Sequence, residues 1–261
     1  MKILHLLAHA DDEYGAYPLI AEFARRGASQ TFVFLTEPVR GAPGARRRAE
    51  SRAMLRMAGV RGAQPLALGA DRGIDDGALL AQLGRAKAGL ADLTLEAGRP
   101  DLLITPAWEG GHVDHDLTAA LSAWLAGRWS SPPPIWQFSL YNGWRTPGPI
   151  FRGATFPPQA GPTETLPLTA AQWWAYAAAV RCFVSQAPVW STLWPAMFAG
   201  FARHGFRYQP LRPERLRERP HPGPLLYERR GLGRYATTAA AVADLLTPEA
   251  SGAPRTCAEG R

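Results

Sequence analysis

The sequence predicts an open, mainly parallel α/β sheet with helices on both faces. Short apolar runs, of the kind buried on both sides of a parallel sheet, alternate with stretches of helical periodicity. Glycines stand just past the ends of those helical stretches, and Gly/Pro-rich segments punctuate the rest. The order strand, helix, strand, helix over the first half argues right-handed crossovers in one sheet.

Residues 3–8 form the first apolar run and predict a buried strand. Residues 16–26 carry Leu19, Ile20, Phe23 and Ala24 at helical spacing and end at Gly27. Thr31 to Leu35, β-branched and aromatic, predict the second strand. A Gly/Pro loop over 37–44 leads to a helix over 45–58, stopped by Gly59. A short strand at 65–68, a helix near 78–97 and a strand from Asp101 to Thr105 follow, the last entered through Pro100. A helix is predicted from near Asp116.

After residue 126 the texture changes. Ser130-Ser131-Pro132-Pro133-Pro134 is a connector before a strand-like run from Ile135 to Tyr141. Residues 145–168, dense in Gly, Pro and Thr, read as an irregular excursion. Thr169 and Gln172 have the spacing of a capping box, opening a helix to about Phe183, and helix resumes over 188–204. The organisation expected is a catalytic core over 1–128, a pocket-forming portion of the same domain over 129–235, and a short helix with a frayed tail over 236–261.

Composition excludes several classes. With 46% hydrophobic and 20% charged residues the chain can bury a core, against wholesale disorder. The net charge of +7 comes mainly from arginine, without the interleaved aromatic and basic residues of a nucleic-acid surface, so no nucleic-acid partner is expected. A basic binding module for nucleic acid or other anionic partners is the alternative reading outside enzymes. Cys182 and Cys257 make no disulfide framework. No apolar run approaches the roughly 20 residues of a membrane span, and the N-terminal run is too short for a signal peptide. A cytoplasmic protein is the expectation.

Two clusters carry the chemistry. Ala8-His9-Ala10-Asp11-Asp12-Glu13 directly follows the first strand, and Gly110-Gly111-His112-Val113-Asp114-His115-Asp116 follows the strand at 101–105. In an open α/β sheet both turns fall at the carboxyl edge, where ligands bind. Imidazole and carboxylate are good zinc ligands, and catalytic zinc keeps three protein ligands and an open position. His9, Asp12 and His115 make such a set. Asp11, adjacent to a ligand but pointing elsewhere, suits a general base, and His112 suits stabilisation of the negative oxygen formed when water attacks a carbonyl. Asp114 is placed to orient an imidazole and keep it protonated. The competing reading is plainer: Asp11 and Asp12 as turn or cap residues, and the histidines as solvated loop residues. His5, inside the first strand, reads as a core residue.

The first cluster resembles the AHPDDE signature of the LmbE-like, or PIG-L, zinc-dependent N-acetylglucosaminyl deacetylases, and the second resembles that family's HPDH motif. Arg47 with Glu50, and Ser185 with Gln186, are similar to weaker family features. The resemblance covers 1 to about 125 well and 169–190 loosely. It implies a Rossmann-like sheet, a zinc ion, and removal of an N-acetyl group from an amino-sugar conjugate. It assigns His9, Asp12 and His115 as ligands, Asp11 as base, His112 to the oxyanion and Asp114 to its support. Ala10 and Val113 stand where the family carries proline.

Substrate contacts expected from position are Arg47, for an anionic or hydroxyl group, Glu109, just before the second cluster, and Trp144, for stacking on a sugar. Zinc is the expected ion, with iron(II) or another divalent ion accepted by the same donors. The alternative within enzymes is hydrolysis of a non-sugar acyl amide at the same ion.

Overall fold

The computed structural model describes residues 1–37 and 42–247; residues 38–41 of the loop expected over 37–44 and the tail expected over 248–261 lie outside them, and 42–44 already belong to a helix. Strand β1 (Lys2–Leu7) leads through a 3₁₀ turn at Asp12–Ala16 into α1 (Tyr17–Arg25), followed by β2 (Ser29–Phe34) and α2 (Ala42–Met57). Then come α3 (Leu68–Arg72), α4 (Leu83–Ala97), β3 (Leu102–Pro106), α5 (Val113–Ala126) and β4 (Ile135–Phe138). A hairpin of β5 (Tyr141–Asn142) and β6 (Arg152–Gly153) is followed by β7 (Glu164–Leu166), α6 (Ala170–Ala179) and α7 (Ala187–His204). The chain continues through β8 (Phe206–Pro210), α8 (Leu226–Arg229) and α9 (Tyr235–Leu245).

The main sheet runs β2-β1-β3-β4-β8-β7. The first four strands are parallel; β8 pairs antiparallel with β4, and β7 with β8. The alternation of the central strands explains the two layers. Ile3 and Leu7, Phe32 and Phe34, Leu102 and Ile104 enter one core with Tyr14, Ile20, Met54, Tyr176 and Phe201. Leu4 and Leu6, Val33 and Leu35, and Leu103 enter the other with Leu90, Leu117, Leu121, Tyr227 and Val242. Helices α1, α2, α6 and α7 therefore cover one face, and α4, α5 and α9 the other. Each fully buried Leu, Ile or Phe stabilises this arrangement by about 1.5–3 kcal/mol. His5 is a core residue as expected: fully buried, stacked on Phe32 at 4.3 Å, with Nε2 2.9 Å from Gln30 Oε1. Burial pushes its pKa down to about 4.

Several elements differ from expectation, among them the strand β8 at Phe206–Pro210, which was not expected. The strand expected at 65–68 is a single bridge, Val33 to Leu66, because Leu68 already begins α3. The helix expected from 78 starts at Leu83, after turns. The stretch 145–168 supplies β7, a three-residue edge strand, which pairs with β8, where no strand was expected. The capping box forms as read: Gln172 N–H donates to Thr169 Oγ1, and Thr169 N–H to Gln172 Oε1. The sheet is continuous across residue 128. Among the described residues no helix is long and apolar enough to cross a membrane.

Candidate metal centre and active site

Because β1 connects to β2 on one side and β3 to β4 on the other, a crevice opens at the carboxyl ends of β1 and β3. Both clusters meet there. His9 Nδ1, Asp12 Oδ1 and His115 Nε2 form a triangle with edges of 3.2, 3.1 and 3.7 Å. A tetrahedral zinc with ligand bonds of about 2.0–2.1 Å has ligand-to-ligand edges of roughly 3.3–3.4 Å, so the donors fit such an ion as they stand. All three residues are buried, at 7%, 5% and 2% exposure.

Their aim is set locally. Asp12 Oδ2 accepts the backbone N–H of Ala8 and of His9, leaving Oδ1 for the triangle. His9 Nε2, the nitrogen facing away, lies 3.2 Å from Asp114 Oδ2 and 3.1 Å from Asp76 Oδ1, which fixes the ring and leaves Nδ1 as lone-pair donor. His9, His112 and Asp114 also form a group of possible ligands. Asp114, however, is already committed, accepting from Gly77 N and Leu79 N as well as facing His9.

Asp11 sits beside the triangle, not in it. Its backbone has φ of 140°, outside the range an L-residue prefers, and is held by Asp11 N–H donating to Glu13 Oε2 at 2.9 Å. Burial pushes the Asp11 carboxyl up to about 6, against the pull of Arg47, whose guanidinium lies 3.2 Å from Oδ1. His112 is the N-cap of α5; its Nδ1 accepts the Asp114 backbone N–H at 3.1 Å, so Nε2 carries the proton of the neutral ring. Burial, helped by His9 and His115, pushes it down to about 3.

That corrects the role expected for Asp114. Its carboxylate faces His9, and only its backbone N–H reaches His112. Two substrate contacts are also placed differently. Glu109 is 1% exposed and accepts from Ser139 Oγ, Leu140 N, Tyr141 N and Asn142 Nδ2 at 2.6–3.0 Å, so it clamps the β4–β5 turn and does not line the pocket. Trp144 lines a separate cavity, and the guanidiniums of Arg145 and Arg152 lie over its ring, where a sugar was expected to stack.

Arg47 does reach the pocket. It donates to Ala10 O, Asp76 Oδ2 and Asp11 Oδ1. The cavity, about 180 Å³, is polar on the side of His9, Asp11, Asp12, Asp76, His112 and His115, and apolar where Leu140, Val189, Trp190 and Leu193 close it. Ser185 donates through N and Oγ to the Glu50 carboxylate, which joins the two weaker motifs and presents Gln186 to the cavity. Sequence reasoning missed Asp76, since Asp75-Asp76-Gly77 reads as a turn, and missed the wall from α7. It also missed Tyr141, whose ring lies 5.5 Å from that of His115. Gly111 explains the closeness: a Cβ there would come within 1.9 Å of Tyr141 O.

Comparisons with known proteins fit this geometry. Residues 4–125 match the family model described as PIG-L, GlcNAc-PI de-N-acetylase. No curated protein matches the chain. A deacetylase of the teicoplanin biosynthesis pathway is similar at 17% identity and TM-score 0.55, over 81% of this chain and 99% of that one. N,N'-diacetylchitobiose deacetylase from Pyrococcus horikoshii is similar at 18% identity and TM-score 0.50, over 80% and 83%. GalB, the 4-carboxy-2-hydroxymuconate hydratase from Pseudomonas putida, is similar at 18% identity and TM-score 0.50, over 77% and 87%. At such identities the likeness is one of fold. A hydratase and two deacetylases share it, so the reaction has to be argued from side chains.

Proposed function

From the match of residues 4–125 to the PIG-L family model and from the pocket, we propose that the protein is a metal-dependent hydrolase that removes the N-acetyl group of an N-acetylglucosamine-type conjugate. The observation that carries the proposal is the donor triangle of His9, Asp12 and His115 with a further carboxylate, Asp11, outside the triangle on the same cavity. A divalent ion held there, zinc or another, would acidify water and polarise an acyl carbonyl.

The chain supplies the rest. Asp11, with a pKa near 6, is ionised at neutral pH and takes the proton of the attacking water. Arg47 keeps that carboxylate charged and aimed by donating to Oδ1. His112 donates a hydrogen bond from its neutral Nε2–H to the carbonyl oxygen as charge develops, adding no positive charge beside the ion's ligands, and Asp11 passes the proton it took from water to the departing amine. Asp114 and Asp76 hold the His9 ring at its far nitrogen. Leu140, Val189, Trp190 and Leu193 give the acyl end a partly dry wall.

Two of the similar structures are named as deacetylases, one of them for N,N'-diacetylchitobiose, which favours a sugar amide over other acyl amides. The test is acetate release from a panel of N-acetylglucosaminides set against non-sugar acetamides. The expected outcome is release from the glucosaminides that stops on chelation and returns with zinc. Turnover confined to the non-sugar amides would replace the substrate and keep the site.

A further inference from the structure

A line of rings leads out of the pocket from His115 to a patch of arginines. The His115 and Tyr141 rings are 5.5 Å apart, those of Tyr141 and Phe151 are 5.7 Å apart, and the Arg230 guanidinium lies 5.4 Å over Phe151. The β5–β6 hairpin carries the line: Tyr141 pairs with Gly153, and Asn142 with Arg152. Within its loop, Trp144 has the Arg145 and Arg152 guanidiniums over its ring at 4.7 and 5.0 Å. Trp144 and Arg145 also line a cavity of about 380 Å³, backed by Arg229.

The charge there is uncompensated. Residues 143–235 hold twelve arginines, four glutamates, and no lysine or aspartate, whereas residues 1–142 hold fifteen basic and fifteen acidic residues. Among the described residues, no carboxylate lies within ion-pair distance of Arg145, Arg152 or Arg230. Arg229 spends Nη1 and Nη2 on the carbonyls of Thr146 and Gly143, but its shielded Nε–H has no acceptor. Holding several like charges together without counter-ions costs free energy, and Arg145 also adopts a positive φ of 53°. Arg230 gives one N–H to Pro149 O, and guanidiniums laid on aromatic faces keep their remaining N–H edges available for a planar or tetrahedral anion.

We propose that this arginine–aromatic groove binds an anionic group, carboxylate or phosphate, on the part of the substrate that leaves with the amine. The inference rests on the deacetylase reading for the identity of that amine. The acyl group is turned over between Asp11 and His112, and the rest of the molecule exits along Tyr141 and Phe151 to the arginines. The neutral N-acetylglucosaminide is then the poorer substrate, and the anionic conjugate the better one.

A matched pair tests it: the 4-carboxyphenyl and 4-carbamoylphenyl N-acetylglucosaminides, nearly equal in size and differing in charge. The expected result is about a tenfold higher kcat/KM for the carboxylate, expressed in KM, shrinking between low and 0.5 M salt, and competed by inorganic phosphate. In the double variant Arg145→Gln, Arg152→Gln the ratio should fall to within twofold of one. Equal kcat/KM for the pair, a ratio that survives the double variant, or a variant that loses both substrates in equal proportion would each overturn the groove. Acetate from neither glycoside would remove the deacetylase reading instead. The two dissociation constants, read from tryptophan fluorescence on the same proteins, would then decide the groove: equal values overturn it, and a tenfold ratio lost in the variant supports it.

Discussion

At the β1–β3 end of the pocket His9, Asp12, Asp114 and His115 are buried and bonded to one another, whereas along the β5–β6 hairpin Arg145 and Arg230 stand exposed with no carboxylate partner. The first arrangement fixes distances: two backbone amides aim Asp12 and two further carboxylates brace His9, while burial alone surrounds the far nitrogen of His115. The second fixes only a sign of charge, since a guanidinium on an aromatic face can slide. Chemistry demands position to a fraction of an ångström, while recognition of an anion tolerates latitude and responds to salt. Glu109 joins the two ends. It follows β3 by three residues, and its carboxylate gathers Ser139, Leu140, Tyr141 and Asn142 at the root of the hairpin.

The comparison breaks most visibly at the triangle. His115→Ala should lose the ion and all measurable turnover, while Asp11→Asn should keep the ion and lose on the order of a hundredfold or more in kcat. Metal analysis of both purified variants separates ligand from base, and equal loss of the ion in the two would show that Asp11, not Asp12, is the ligand. Next comes the joint. Glu109→Ala leaves four donors without their acceptor and should cost roughly 4 kcal/mol, whereas Glu109→Gln keeps an acceptor and should cost less. Denaturant titration of the two variants checks the order.

A smaller effect sharpens the electrostatic account. Asp11 must be ionised, so kcat/KM should rise with pH through about 6 or, with an ion bound, through a lower midpoint. Arg47→Gln withdraws the main charge holding that pKa down, so the midpoint should move up, and a pH profile that does not move would sever Arg47 from the base. His5 offers a control far from the arginines. Its folded pKa of about 4 lies below the unfolded value of 6.5, so the unfolded state binds more protons between them. Stability should fall by roughly 3 kcal/mol as pH drops from 6.5 to 4, and His5→Phe should flatten that slope in chemical denaturation.

The sheet's first four strands were legible because burial on both faces leaves continuous apolar runs, and the two ligand turns because strand-to-helix turns at that edge are where polar clusters make sense. The antiparallel end was not. Phe206–Pro210 mixes exposed and buried side chains, and Glu164–Leu166 is three residues long, so neither has a period to read. The ring and carboxylate partnerships escaped for another reason. His112 and Asp114 are neighbours in sequence, yet the helix they open turns the Asp114 carboxylate toward His9, a hundred residues away. Asp76 resembles any aspartate before a glycine until Arg47 and His9 close on it.

The unfavourable backbone angle of Asp11 has a consequence for the residue next in line. A conformation costing about 1–3 kcal/mol persists only while something restrains it, and here the restraint is the side chain of Glu13, which burial pushes up to about 8. Kept uncharged at neutral pH, Glu13 can fasten the turn without setting a third negative charge beside Asp11 and Asp12. A residue that never meets the substrate thus decides where the proton acceptor points, and shortening it to aspartate should misdirect the reaction while leaving every reacting group in the sequence.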